Sequence, residues 1–374
     1  MNVVCVVLLV LVVAGCAGIK ITRLFRPGPD DWTMYGGTPQ RANVSPSVVR
    51  PPLKEIWEYN AIGGITGTPV VRDSVVLIGT LHGELQAINI LNGRRLGYVV
   101  FDSAIKGSPV LDGSNVIVAV SNGSETLISY SLRSGSRTWA RAYGAIESTP
   151  LLVGDHLYVT TLEGYLYCVR KNDGMEVWKY GPEKNRKPLR SSPASDGQTI
   201  FFGGDDGRVY AVGTDGALKW SVQTGASVFS IPVVVGDVVV IGNIGGLCYG
   251  LRKSNGDVLW SINTGSPIYG AAAAVSGRVF IASSDGTVRA LSALQGEEQW
   301  KFSAGSVINS APLVAGPTLF VGSLDRTLYA IDHESGKELW KYAAPGRIKV
   351  SPVLWKDILL LTSEDKYVIA LKAE

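Results

Sequence analysis

The sequence predicts an all-β fold, an eight-bladed β-propeller of four-stranded antiparallel blades, and three observations predict it. An aliphatic residue, one variable residue, two mostly small residues and, in seven cases, a proline recur eight times at a spacing of about forty residues. Further along most copies a glycine precedes a tryptophan by four residues. Between these markers lie β-branched runs and tight turns, with no helical period anywhere.

The proline-slot segments are 65–69, 105–109, 146–150, 189–193, 228–232, 268–272, 308–312 and 348–352, and only the sixth replaces proline, with Ala272. The glycine and tryptophan pairs are Gly135/Trp139, Gly174/Trp178, Gly216/Trp220, Gly256/Trp260, Gly296/Trp300 and Gly336/Trp340. The first copy keeps Gly93 but has Gly97 in the tryptophan slot. A copy reads strand, turn, strand, as in 319–322, Asp325-Arg326 and 328–331. Such a unit forms one small sheet that buries both faces only by stacking radially on its neighbours. The eighth copy runs out at Glu374 before any glycine and tryptophan, and residues 53–59 supply the missing outer strand. There Trp57 lies twelve residues before Pro69, as Trp220 does before Pro232. The ring is therefore expected to close by pairing the N-terminal strand with the C-terminal blade, which removes open sheet edges.

Residues 53–374 are used up by the eight units, so a single propeller domain is expected although length alone would favour two or three domains. A net charge of +3 offers no concentrated basic face for nucleic acid. Residues 1–15 hold an apolar run too short to span a bilayer comfortably, with no Lys or Arg before it, and read as an export signal. The alternative is an uncleaved membrane anchor. Ala14-Gly15 directly before Cys16 resemble the lipobox of bacterial lipoproteins, which implies cleavage there and lipidation of Cys16. Residues 16–52 then form a lipidated tether and docking segment, whose aromatic stretch 31–39 is expected to pack on the propeller. Cys168 and Cys248 fall in strands two blades apart, beyond the reach of about 7 Å that a disulfide allows between Cα atoms, and are expected as buried thiols.

The repeated signatures at 285–291 and 336–340 resemble the quinoprotein-type (PQQ-like) propeller repeat over essentially the whole body. No Gly-His start or Trp-Asp end recurs, so the other common forty-residue propeller repeat fits poorly. Within this superfamily, an eight-bladed lipoprotein with no added domain is similar to the BamB family, lipoprotein subunits of the outer-membrane β-barrel assembly machinery. The resemblance implies a non-enzymatic scaffold facing the periplasm, anchored in the outer membrane through Cys16, with a component of that machinery as partner. Ala17, in place of Asp, fits outer-membrane sorting by the enterobacterial pattern. The family's partner-binding segment is a Leu-Arg loop before the fourth blade, and Leu189-Arg190 occupy that place. The loop is the longest of its type, fifteen residues from Trp178 to Pro193, and carries Lys184, Arg186 and Lys187. The family's acidic pair before the next blade is missing, since 226–230 read Ala-Ser-Val-Phe-Ser.

One slot diverges between the copies, three residues before the proline position: Thr66, Lys106, Glu147, Arg190, Phe229, Tyr269, Asn309 and Lys349. These residues should ring one mouth of the central channel. A variable ring on a fixed scaffold is where binding is built, although plain solvation permits the same mixture. Three cations against one acid predict a mildly positive mouth suited to an anionic ligand or an acidic partner loop. Phe229 and Tyr269 resemble the aromatic anchors of binding hot spots. The set favours recognition over catalysis.

The enzymatic alternative is a dehydrogenase holding pyrroloquinoline quinone and calcium. Calcium needs several oxygen ligands at about 2.3–2.6 Å, and Glu147 and Asn309 face each other across the channel. No vicinal cysteine pair exists, and no cofactor or metal is expected. His82, His156 and His333 read as exposed turn residues without metal-ligand spacing. Trp355 lies outside the tryptophan register and reads as a surface contact. A third reading is a glycan or other envelope-ligand binder using the mouth together with Trp32 and Tyr35.

Overall fold

The computed structural model describes residues 18–181 and 186–374. Aliphatic and β-branched runs separated by tight turns form eight sheets of four antiparallel strands, each sheet one repeat of the sequence. Blade 1 comprises Val70–Arg72, Val75–Gly79, Glu84–Asn89 and Arg95–Val100, from the channel outwards. Blades 2 to 7 follow at 110–141, 151–180, 194–223, 233–263, 273–303 and 313–343. Blade 8 takes Val353–Trp355, Ile358–Thr362 and Tyr367–Ala373 from the C-terminus and Leu53–Asn60 from the N-terminal side. Leu53 pairs with Ala373 and Asn60 with Tyr367, so the ring closes as the repeat count predicts.

Burial explains the composition of each strand. Every residue of the second strands Val75–Gly79, Val238–Gly242 and Thr318–Gly322 is buried, because both faces are covered by neighbouring blades. The outermost strands are largely exposed. Each pairs with the third strand through a bulge in all eight blades, as between Arg137 and Trp139, and the bulge turns the tryptophan towards the next blade. There the indole N–H donates to a turn carbonyl: Trp57 to Ile90 at 2.7 Å, Trp139 to Lys171 at 2.8 Å, Trp220 to Lys253 at 2.9 Å and Trp260 to Ala293 at 2.9 Å. The repeat's glycine lies under this ring. A Cβ on Gly256 would come within 2.8 Å of the Trp220 indole, which is why the two residues recur together.

The junction between blades 1 and 2 is held differently. Gly97 replaces the tryptophan, and the N-terminal segment enters the space. A Cβ on Gly97 would lie 2.5 Å from the Gly18 carbonyl oxygen. Ile19 is fully buried there. The N–H of Ile21 donates to the Leu132 carbonyl at 2.7 Å, the bond an indole makes at other junctions. Tyr130 completes the clip, its hydroxyl donating to the Ile19 carbonyl at 3.1 Å.

Residues 32–45 then plug the channel. Innermost strands leave one row of backbone groups facing the axis, and this segment bonds them in turn. Trp32 and Val71 exchange bonds of 2.8 and 2.9 Å in blade 1. The N–H groups of Leu111, Ser195, Val234, Ala274 and Val314 donate to the carbonyls of Thr33, Pro39, Gln40, Ala42 and Asn43, at 2.8 to 3.0 Å. Blade 3 is reached by Arg41, whose guanidinium donates to the carbonyls of Pro150 and Pro193 at 3.1 Å and of Tyr35 at 2.7 Å. The Tyr35 hydroxyl lies 3.5 Å from Ser351 Oγ in blade 8. Val44–Ser45 adds a parallel strand to Leu313–Ala315 of blade 7. Arg41 is fully buried, and burial pushes its guanidinium down to about 9, so it remains a cation at neutral pH.

Three expectations are corrected here. Trp355 is not a surface contact: it ends the inner strand of blade 8, is 6% exposed and packs in the cluster that includes Val49 and Leu53. Of the histidines only His82 is an exposed turn residue; His156 opens a strand, and His333 is partly buried with its ring edge-on to Phe280 at 6.0 Å. Trp32 is buried within the plug at 1% exposure, which removes it as a ligand platform, whereas Tyr35, at 8%, still lines the mouth of the channel. Cys168 and Cys248 are buried free thiols, as expected. Burial pushes them up to about 11 and about 12 respectively. Cys16 lies outside the described residues.

Candidate functional site: the open mouth of the channel

The eight proline-slot segments approach the axis where the innermost strands begin, just ahead of the residues the plug bonds. In each, the aliphatic residue is buried, from Ile65 at 0% to Leu189 at 4% exposure, and the residue after it is at least partly exposed. The small residues tie blades together. The hydroxyls of Ser108, Thr149 and Ser192 accept the N–H of Thr68, Ser108 and Thr149 from the preceding blade, at 2.8 to 2.9 Å. With backbone and neighbours fixed in this way, only the divergent slot is free to vary, and its side chains ring the mouth. They enclose a cavity of about 180 Å³ whose walls include Thr66, Lys106, Glu147, Phe229 and Tyr269, with Tyr35 of the plug at its base.

The charges of the ring are paired. Glu147 accepts from Lys106 at 2.5 Å and faces Arg190 at 3.8 Å. Arg190 also pairs with Asp205 at 3.2 Å and lies over the Phe229 ring at 5.8 Å. Phe229 and Tyr269 stack with centroids 6.5 Å apart, and Tyr269 is 42% exposed. The result is a continuous strip from blade 2 to blade 6, charged at one end and aromatic at the other. Across the channel Lys349 and Arg347 hold Glu364 at 2.5 and 3.1 Å. Asn309 accepts the Ser284 hydroxyl at 2.8 Å.

The expected excess of positive charge at the mouth is therefore corrected: Lys106, Arg190 and Lys349 all have carboxylate partners. Asp205 and Glu364 were missed because they belong to a second periodic slot, in the turn after the second strand. Its eight members, Leu81, Ser121, Leu162, Asp205, Ile244, Ser284, Leu324 and Glu364, each donate their N–H to a carbonyl just ahead of the divergent slot, such as Asp205 to Pro188 and Glu364 to Arg347. That recurrence was available as a signal. Burial raises the Asp205 carboxyl above its ordinary range, opposed by Arg190. One of its oxygens, Oδ1, is buried without a hydrogen-bond partner.

The long loop divides into parts with different surroundings. Leu189 packs in the core cluster with Phe202 and Tyr210, so the Leu189-Arg190 pair presents only Arg190 at the surface. Arg186 and Lys187 are exposed, and the Arg186 guanidinium stacks on Tyr165 at 4.5 Å. Lys184 lies outside the described residues.

The donor set does not fit calcium. Among the described residues no group of three or more His, Cys, Asp or Glu converges where a metal ion could sit. Glu147 and Asp205 already serve Lys106 and Arg190, so a cation would have to displace both.

Comparison with known proteins bears on this geometry. A family model described as outer membrane protein assembly factor BamB matches residues 54–180, 182–286, 205–310 and 284–374. The BamB protein of Shewanella oneidensis is 23% identical over 224 residues, covering 54% of each chain, so this chain spans about half the length of that relative. The crystal structure of BamB from Moraxella catarrhalis is similar with a TM-score of 0.73, over 86% of this chain and 99% of that one at 19% identity. The quinohemoprotein alcohol dehydrogenase of Comamonas testosteroni gives 0.75 over 92% of this chain and 80% of that one, at 14% identity. At these identities the two structures speak for the fold alone.

Proposed function

This chain belongs to the BamB family of outer membrane protein assembly factors, and we propose that it is a non-enzymatic scaffold that docks a protein partner on the open mouth of its propeller. In this reading the signal peptide 1–15 is removed, Cys16 is lipidated, and the protein faces the periplasm from the outer membrane. The partner is a component of the β-barrel assembly machinery. No quinone or metal takes part.

One observation carries the reading: the two ends of the channel are built for different purposes. The plugged end satisfies its own backbone and buries its aromatics. The open end presents a guanidinium over a phenyl ring beside an exposed tyrosine, a combination enriched where protein interfaces concentrate their energy. The acidic pair that the resemblance implies is missing at this place, where Phe229 stands, so docking here relies on Arg190 and aromatic area. An incoming carboxylate would compete with Glu147 and Asp205 for Arg190, which favours specificity over raw affinity.

The test is co-purification from envelope membranes in mild detergent with Arg190→Glu and Phe229→Ala, each checked for an unchanged melting temperature. Partner recovery is expected to fall at least tenfold for Arg190→Glu, the effect of about 1.4 kcal/mol. Unchanged recovery in both variants overturns the assignment of the mouth.

A further inference from the structure

We infer that the edge of the ring at the junction of blades 1 and 2 is a docking surface for an anionic lipid bilayer, the one that the lipid on Cys16 enters. The inference rests on the lipidation proposed above and extends it from an anchor to an orientation. Its first support is reach. Ile19 is fixed between blades 1 and 2 by burial, and Ile21 by its bond to Leu132. Cys16 precedes Ile19 by three residues, and three extended residues span at most about 10 Å. The bilayer surface is thereby held against this junction.

The second support is the chemistry of what lies there. Residues 20–26 run along the junction between two grooves. One, of about 180 Å³, is lined by Arg23, Leu24, Arg72 and Arg133; the other, of about 520 Å³, by Lys20, Arg23, Leu91 and Leu96. Lys20, Arg26 and Arg133 are exposed, and the ion pairs among the described residues include none of them. The nearby acids are already engaged: Asp73 with Arg23, Asp31 with Arg72 and Asp112 with Lys171. At the mouth, by contrast, every ring cation has a carboxylate. Interleaved with the free cations are the exposed apolar side chains Leu24 at 70%, Leu91 at 59% and Leu96 at 41%. Unpaired cations with protruding leucines match a layer of phosphate headgroups over acyl chains, and a basic patch beside a lipid chain supplies the second signal that stable membrane attachment needs. The residues of both grooves sit mostly in turns that join first to second or third to fourth strands, opposite the slots of the mouth, so the surface lies at the rim of the plugged face and turns the open mouth away from the bilayer.

The test uses the full lipidated protein in vesicles, with a fluorophore on Leu24→Cys and quenching by nitroxide-labelled headgroups. Cys168 and Cys248 are buried with raised thiols and do not compete for the label. A second probe at Thr66→Cys on the mouth reports the opposite orientation. In phosphatidylglycerol and phosphatidylethanolamine vesicles the Leu24 probe is expected to be quenched roughly threefold more than in phosphatidylcholine vesicles, with the difference lost at high ionic strength and in Lys20→Glu/Arg26→Glu/Arg133→Glu. The Thr66 probe should stay unquenched throughout. Equal Leu24 quenching in both lipid compositions and at both ionic strengths overturns the docking surface while leaving the anchor intact. Failure of the protein to associate with vesicles of either composition overturns the anchor and this surface together.

Discussion

The two ends of the channel share one repeat and one backbone, yet differ in almost every side-chain property. At the plugged end a single segment, 32–45, supplies bonds to the innermost strands, and Trp32 and Arg41 are at most 1% exposed. At the open end eight residues in one slot vary from blade to blade, and five of them in successive blades, from Lys106 to Tyr269, form a strip of charge and aromatic area. A propeller repeat must spend most positions on stacking, so variation collects where stacking makes no demand. The junctions teach the same lesson. Where Gly97 leaves out the indole, the ring does not leave a void; the N-terminal segment fills it and makes the same bond to the next blade.

The comparison can be broken most severely through the shared scaffold. Trp220→Ala deletes a buried indole and its bond to Lys253, and should cost about 3–5 kcal/mol in denaturant unfolding, whereas the same change in the mouth at Phe229 should cost much less. Arg41→Ala leaves the carbonyls of Pro150, Pro193 and Tyr35 unpaired in a buried site and should cost on the order of 3 kcal/mol. Gly97→Trp sharpens the comparison of junctions. The indole and residues 18–21 cannot share the space, so the variant should release the N-terminal segment to limited proteolysis ahead of residue 31 with the ring still folded. Continued protection would mean that the segment does not stand in for the indole.

A pH experiment separates core from surface. The thiols of Cys168 and Cys248 are raised by burial, so their contribution is fully present below the ordinary thiol value of about 9. It is lost as pH rises towards about 11 and about 12, because the unfolded chain ionises first. Stability should therefore fall with alkali above pH 9, and Cys248→Ala should flatten that fall. The smallest expected change in stability is at the mouth. Arg190 is 37% exposed in its side chain, and its ion pairs are screened, so Arg190→Gln should shift unfolding by less than about 1 kcal/mol.

The ring, its closure and the tryptophan contacts were legible because they repeat: Trp57 stands in the same place relative to Pro69 as Trp220 to Pro232, and a regular position has a regular cause. The plug occurs once, so no comparison between copies could reveal that Arg41 is buried or that Tyr35 lies at the base of the mouth cavity. Trp355 misled because the register argument covers outer strands, and this residue ends an inner one. The mouth was half legible. The divergent slot located it, but ion pairing depends on a second slot fifteen residues further on, whose recurrence the sequence carries but whose approach to Arg190 and Lys349 only the intervening turns bring about.

Everything proposed for the open mouth depends on its recognising a protein. The most direct measurement is a mild-detergent pull-down of the tagged protein from its own envelope, beside Arg190→Glu, with co-purifying proteins and the absorption spectrum recorded on the same samples. A barrel-assembly protein should be recovered with the unaltered chain and depleted with Arg190→Glu, with no quinone absorbance in either. A lone protein carrying a quinone chromophore, or a partner recovered equally by both, would contradict it.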